Sequence, residues 1–148
     1  HRKNMKIYLG ADHAGFEHKE SLKAYLLSKG YEVIDHGAKE LNEGDDYPGF
    51  ISSAAKAVIA DAESKAIVFG GSGEGEAMVA NRFKGVRAAV YYGGNKDILI
   101  FSRAHNDANV LSLGARFLVE EEVNEAADIW LQTEFPGDER HVRRLAQF

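Results

Sequence analysis

The sequence predicts an α/β fold in which a parallel five-stranded sheet is covered by helices on both faces. Three observations predict it. Short β-branched or aromatic runs alternate with helical patterns from one end of the chain to the other. The composition, 45% hydrophobic and 28% charged over 148 residues, is that of one globular domain. The residues capable of chemistry also gather beside strands, and parallel sheets bind ligands outside the carboxyl ends of their strands.

The elements follow in order. Lys6 to Gly10 is a short apolar run ending in glycine, a buried strand. Phe16 to Ser28 carries Phe16, Leu22, Tyr25, Leu26 and Leu27 at near-helical spacing, and Gly30 closes it. Tyr31 to Asp35 is the second strand. Tyr47 to Asp61 is an alanine-rich helix, with Pro48 tolerated in its first turn. Ala66 to Phe69 is the third strand and runs straight into glycines. Gly75 to Arg82 is a helix, Val86 to Tyr91 the fourth strand, Asn95 to Arg103 a helix and Asn109 to Leu113 the fifth strand. Two helices, Val119 to Leu131 and Gly137 to Gln147, end the chain. Crossovers between the parallel strands are expected to be right-handed.

Other function classes are set aside early. The formal net charge of -5 argues against nucleic-acid binding. With no cysteine there is neither a disulfide framework nor a thiolate zinc site. No apolar run approaches the roughly 20 residues of a membrane span, and no secretory signal is visible, so a cytoplasmic protein is expected. Residues 1–4 read as a tag or leader remnant ahead of Met5, leaving 5–148 as a single domain.

The densest signal is Gly70-Gly71-Ser72-Gly73-Glu74-Gly75-Glu76. Glycines there let the backbone approach a ligand and aim several N–H groups at one spot, and the following helix adds its positive end. The spacing and place differ from a dinucleotide fingerprint, and a Walker loop would need Gly-Lys-Ser/Thr. A carboxylate would repel a resident phosphate, so Glu76 points instead to a reacting centre. There the N–H groups would hold an oxyanion while the acid moves a proton. A plain helix-capping turn is the structural alternative.

Asp12-His13 follow the first strand and Asp46-Tyr47 follow the second; the pair of carboxylate and imidazole can relay protons or bind a polar ligand, or serve as an N-cap and a solvated histidine. Arg103 to Asn109 is a polar stretch feeding the fifth strand, and packing gives no reason for so many donors and acceptors in one turn. Arg140 and Arg144 share one face of the last helix and can clamp a phosphate, with Arg116 a further cation after the fifth strand. Glu120-Glu121-Glu122 read as a solvated helix start, and His18 and His36 as structural. No His/Asp/Glu spacing suggests a metal site.

Taken together and in order, several stretches resemble one family, the sugar-phosphate isomerases comprising ribose-5-phosphate isomerase type B and the galactose-6-phosphate isomerase subunits. They are Gly10 to Phe16, Asp46-Tyr47-Pro48, Gly70 to Glu76 with Ala80-Asn81-Arg82, Gly85 to Ala88, His105 to Leu111, Gly114-Ala115-Arg116 and Arg140-His141-x-Arg143-Arg144. The resemblance runs from Met5 over nearly the whole chain.

It implies a three-layer, Rossmann-like α/β/α sandwich and a homodimer with active sites at the subunit boundary, with a tetramer also open. It implies interconversion of ribose 5-phosphate and ribulose 5-phosphate with no cofactor or metal. One type in this family carries a cysteine where this chain has Gly70; the other has glycine there and uses a later glutamate, the position of Glu76. Glu76 is then the base, and Ser72 with the N–H groups of Gly71, Gly73 and Gly75 holds the enediolate oxygen. A carboxylate of ordinary pKa, about 4.3, is a feeble base, so burial is expected to raise it. The resemblance assigns His105 and Asp12 to ring opening, with Asp12 also shuttling protons. It gives Asn106 and Tyr47 to sugar hydroxyls, and Arg140, Arg144, His13 and Arg116 to the phosphate, with His141 a weaker candidate. Glu74, neutral in many relatives, either raises the Glu76 pKa or faces solvent. The rival readings are an isomerase of a six-carbon sugar phosphate, such as allose 6-phosphate or galactose 6-phosphate, and a non-catalytic sugar-phosphate sensor. Phe135, Trp130 and Phe148 are either an interface or core.

Overall fold

The computed structural model describes residues 5–148; the leader reading at 1–4 lies outside the described residues. Five strands run β1 (Lys6–Ala11), β2 (Glu32–Asp35), β3 (Lys65–Gly70), β4 (Ala88–Tyr91) and β5 (Val110–Gly114). Six α-helices separate and follow them: α1 (Phe16–Ser28), α2 (Tyr47–Ala60), α3 (Glu74–Ala80), α4 (Asp97–Ala104), α5 (Glu120–Gln132) and α6 (Glu139–Leu145). The strands pair in parallel in the order β2-β1-β3-β5-β4.

Strand alternation sorts the core into two layers. Ile7, Leu9, Ile67, Phe69, Leu111 and Leu113 pack with Leu22 and Leu26 of α1, Leu99 of α4 and Trp130 of α5. Tyr8, Ala66, Val68 and Val110 face the other way, onto Ile51, Ala54 and Val58 of α2 and Ala80 of α3. The α/β/α sandwich expected from the sequence is the observed architecture. Trp130 is fully buried, its indole N–H donating to the Ser102 hydroxyl at 3.2 Å, so it is core; Phe148 is 80% exposed.

Element ends differ from expectation by at most two residues. The last helix starts two residues later than expected, because Gly137 sits at φ 78°, outside helical space. Two single 3-10 turns, His13–Gly15 and Ala115–Phe117, escaped the periodicity. The acidic start of α5 is a cap: the Glu122 carboxylate accepts from the Val119 N–H at 2.9 Å.

β1 and β3 are neighbours, yet their connections leave to opposite faces, α1 to one and α3 to the other. The crevice between them is a switch point of the sheet, where the carboxyl ends of two strands are left uncovered.

Candidate active site

The crevice is a cleft of about 280 Å³ lined by Asp12, His13, Ala14, Tyr47, Gly71, Ser72, Gly75, Glu76 and Arg116. Asp12 and His13 come from the turn after β1, Tyr47 from the first residue of α2, the glycines, Ser72 and Glu76 from the β3–α3 turn, and Arg116 from the turn after β5. Asp12 caps the 3-10 turn that carries His13, accepting from the Ala14 N–H at 3.1 Å.

Close approach dictates the glycines. A Cβ on Gly70 would lie 1.9 Å from the Glu76 Cδ, so the carboxylate occupies the space any side chain at Gly70 would need. A Cβ on Gly75 would lie 2.5 Å from the Tyr47 hydroxyl, and one on Gly71 3.0 Å from the Arg116 guanidinium. Gly73 adopts φ 82°, and its carbonyl accepts from the Ser112 hydroxyl at 2.7 Å, which ties the turn to β5. The Ser72 hydroxyl accepts from the Glu74 N–H at 3.1 Å. The Gly75 N–H belongs to the first turn of α3, where N–H groups have no intrahelical partner. With seven residues, α3 is short for a macrodipole argument; individual N–H groups are the electrophilic parts of this turn.

Glu76 is 4% exposed. Burial pushes its pKa up, its own backbone N–H opposes, and the Asp12 charge pushes it up further. Glu74, by contrast, is exposed and is not among the charges that move Glu76, so it faces solvent.

Asp45, which sequence reasoning missed, belongs to this site. Its Oδ1 accepts from the His13 backbone N–H at 3.0 Å and from the His13 Nδ1 at 2.9 Å. Residues 32 positions apart carry no spacing signal. Ligand atoms of Asp12, His13 and Asp45 lie within 4.8 Å of one another, a grouping that could hold a cation and that no local spacing could reveal. The hydrogen bond between ring and acid already accounts for the two closest of them.

The remaining predicted residues lie elsewhere. His105 and Asn106 precede β5, so they stand at the amino edge of the sheet, opposite the cleft. β3 alone spans six residues, roughly 20 Å at strand rise. The expectation that all chemically able residues flank carboxyl ends is therefore corrected: a residue before a parallel strand is at the wrong end. His105 stacks between Phe101 (centroids 4.7 Å) and His141 (4.4 Å). Arg140 and Arg144 are exposed on the same α6 as His141, which is 7% exposed and has no hydrogen-bond partner for Nε2. Burial lowers the His141 pKa, and Arg140, His105 and Arg144 lower it further. This cluster is cationic and suits a dianion.

Packing does explain much of the polar stretch feeding β5, against expectation. Arg103 donates to the Asp107 carboxylate at 2.9 Å and to the Ala108 and Thr133 carbonyls. Asn109 accepts from the Arg87 N–H and donates to the Gly85 carbonyl. Asn81 bridges both backbone groups of Ala88. His18 and His36 are structural, bonded to the Leu118 carbonyl and the Ser53 hydroxyl.

Comparisons with known proteins bear on the fold and the family. Residues 7–148 match the family model described as Ribose/Galactose Isomerase. Ribose-5-phosphate isomerase B of Mycobacterium tuberculosis strain H37Rv is 39% identical over 141 residues, 95% of this chain and 86% of that protein. The structure of Clostridium thermocellum ribose-5-phosphate isomerase B superposes with a TM-score of 0.90 at 40% identity, covering 97% of this chain and 94% of that one. Mycoplasma genitalium ribose-5-phosphate isomerase B, solved with bound ribulose 5-phosphate, gives 0.91 at 33% identity, covering 97% and 93%. With its sheet order, its glycine turn and these matches over nearly its full length, the chain belongs to the ribose/galactose isomerase family.

Proposed function

We propose that the chain is an aldose–ketose isomerase that interconverts ribose 5-phosphate and ribulose 5-phosphate through an enediolate, with Glu76 as the base. The observation that carries the reading is the Glu76 carboxylate seated over the bare Cα of Gly70, buried, with a raised pKa. A base is effective when its pKa approaches the working pH, and burial beside Asp12 moves Glu76 that way.

In the opened sugar, Glu76 takes the proton from C2. The electron pair forms the enediolate, whose oxygen is held by Ser72 and the glycine N–H groups. Glu76 returns the proton to C1, while Asp12 carries the other proton from O2 to O1, so atoms balance with no redox step. Tyr47 binds a sugar hydroxyl, and His13 and Arg116 contact the phosphate.

His105, Asn106, Arg140 and Arg144 join from a second copy of the chain. One protomer holds them at the far edge of its own sheet, so a two-fold dimer that sets this edge against the partner's cleft completes both sites. Exposed Ile98 (52%) and Phe101 (48%) on α4 beside His105, and the exposed pair Tyr92 and Phe117, supply apolar surface for such a contact.

The test is turnover of ribose 5-phosphate to ribulose 5-phosphate by purified protein in a chelator, with Glu76→Gln in parallel. Glu76→Gln is expected to lose about 10²- to 10⁴-fold in kcat, the usual worth of a positioned base. An unimpaired Glu76→Gln would mean the base is elsewhere. Preference for allose 6-phosphate or galactose 6-phosphate would keep the mechanism and change the substrate. No turnover of any of the three by folded protein would favour a sensor.

A further inference from the structure

We propose that Asp45, in the loop between β2 and α2, is a positioning residue that holds the His13 imidazole in its protonated form against the substrate phosphate. The proposal rests on the reading of His13 as a phosphate contact.

One oxygen, Asp45 Oδ1, takes both the His13 backbone N–H and the ring Nδ1, at 3.0 and 2.9 Å. This fixes the main chain and the imidazole of one residue together. An ionised carboxylate can only accept, so Nδ1 carries a proton and Nε2 is the ring atom left for the cleft. In a neutral ring that Nε2 would be an acceptor and would repel a phosphate oxygen. A second proton turns it into a charged donor.

The surroundings favour the second proton. The hydrogen bond that the His13 ring donates to Asp45 is the largest influence raising the His13 pKa; burial opposes it, the Asp12 charge adds to it, and Arg116 opposes it. Asp12 Oδ2 stands 3.9 Å from Nδ1. The Asp45 side chain is itself only 9% exposed. Its Oδ2 has no hydrogen-bond partner, and among the described residues its one ion-pair partner is His13. A carboxylate this buried is costly without a cation, and His13 in its charged form is the cation within reach. Arg116, on the turn that packs against that of His13, then shares the phosphate with an imidazolium rather than carrying it alone.

The experiment follows the His13 ring by NMR titration and measures KM and kcat for ribose 5-phosphate between pH 6 and 8. It compares the parent, Asp45→Asn, His13→Asn and the double variant. The resonance missing from His13→Asn is that of His13. Asp45→Asn keeps an acceptor at the same place and removes the charge; Asp45→Ser is the second variant should the amide disturb the loop. Glu43→Gln, an exposed acid in the same loop, controls for bulk charge. Asp45→Asn is expected to lower the His13 titration midpoint. It should also raise KM about tenfold at pH 8 and much less at pH 6, with kcat within about twofold. The substrate phosphate titrates alike for every variant, so the difference between variants isolates the ring. The double variant should match His13→Asn, since the two residues act as a unit. An unmoved midpoint overturns the proposal. So does a loss equal at all pH values with a lower Tm, which is what a loop-bracing role would give, or an equal shift in Glu43→Gln. An unchanged KM in His13→Asn would sink the phosphate reading itself, while the midpoint would still report whether Asp45 holds the ring.

Discussion

The two edges of the sheet carry unlike halves of the polar residues singled out above. At the carboxyl edge, the turns after β1 and β3 enclose a cleft with a buried acid, a carboxylate–imidazole–carboxylate group and a glycine turn. At the amino edge, Arg140 and Arg144 stand exposed on α6 beside the stacked His105 and His141, with Asp138 3.6 Å from Arg140 and a cleft of about 900 Å³ lined by Asn106 and Val142 next to them. The first half has proton-transfer groups and little positive charge beyond His13 and Arg116. The second draws its positive charge from Arg140 and Arg144 and holds two stacked imidazoles. The difference teaches that, on the proposed reading, the residues assigned to one site stand a strand's length apart within one chain, so the reading requires the two edges to meet across a subunit boundary.

The sharpest way to break the first half is at Gly70. Gly70→Ala would put a methyl group 1.9 Å from the Glu76 Cδ, and the carboxylate must swing away. Activity is expected to fall about 10²-fold or more, the scale of a misplaced catalytic group, with KM changed far less than kcat. Steady-state kinetics of Gly70→Ala check it. Equal loss in KM and kcat, or none, would show that the acid has slack and that its seat over Gly70 is incidental.

The link between the halves is tested by complementation. Glu76→Gln damages one edge and His105→Ala the other, and each alone is expected to be nearly inactive. In a two-fold dimer with shared sites, a mixed dimer regenerates one site with both residues intact. After full subunit exchange of equal amounts, about a quarter of parental activity should return, because half the dimers are mixed and each has one good site. Sites built within a single chain would give no recovery on mixing.

Much of this was legible in the sequence, and the exceptions have physical causes. Strands, helices and the glycine turn are local patterns, so period and spacing reveal them. Glu76 was legible as a candidate because it stands in the glycine turn, while its seat over Gly70 was not, since no spacing shows where a side chain folds back. Asp45 was not: its partner His13 is 32 residues away, and only the adjacency of the β1 and β2–α2 loops brings them together. The polar run before β5 misled for the converse reason. Arg103, Asp107 and Asn109 look like chemistry in sequence, yet Arg103 and Asn109 bond to backbone carbonyls that no pattern displays, and the Asp107 carboxylate is taken up by Arg103. His105 was placed correctly beside a strand, yet on the side that a parallel sheet sends to the opposite edge. Phe101 stacks on it from one turn earlier in α4, whereas His141 arrives from α6, far along the chain, and joins only in the stack.

The smallest expected effect compares how each half costs the fold. Glu76 is a carboxyl whose folded pKa is raised above its ordinary value by burial and by Asp12. The folded state therefore holds this proton more tightly than the unfolded chain does. Stability from this group is fully present below the unfolded pKa and falls as pH rises through the folded one. At neutral pH the buried charge is a burden, and Glu76→Gln, though inactive, is expected to be more stable than the parent, by on the order of a few degrees in Tm. The gain should shrink to nothing as the pH is lowered below about 4, where Glu76 is protonated in both states. His105→Ala is the comparison, because it removes a partly exposed ring from a stack rather than a buried carboxylate. Thermal melts of the two variants from pH 4 to 8 check it. A Glu76→Gln protein no more stable than the parent at pH 8 would mean that the cleft already solvates the acid. The raised pKa on which the base assignment leans would then have to be given up.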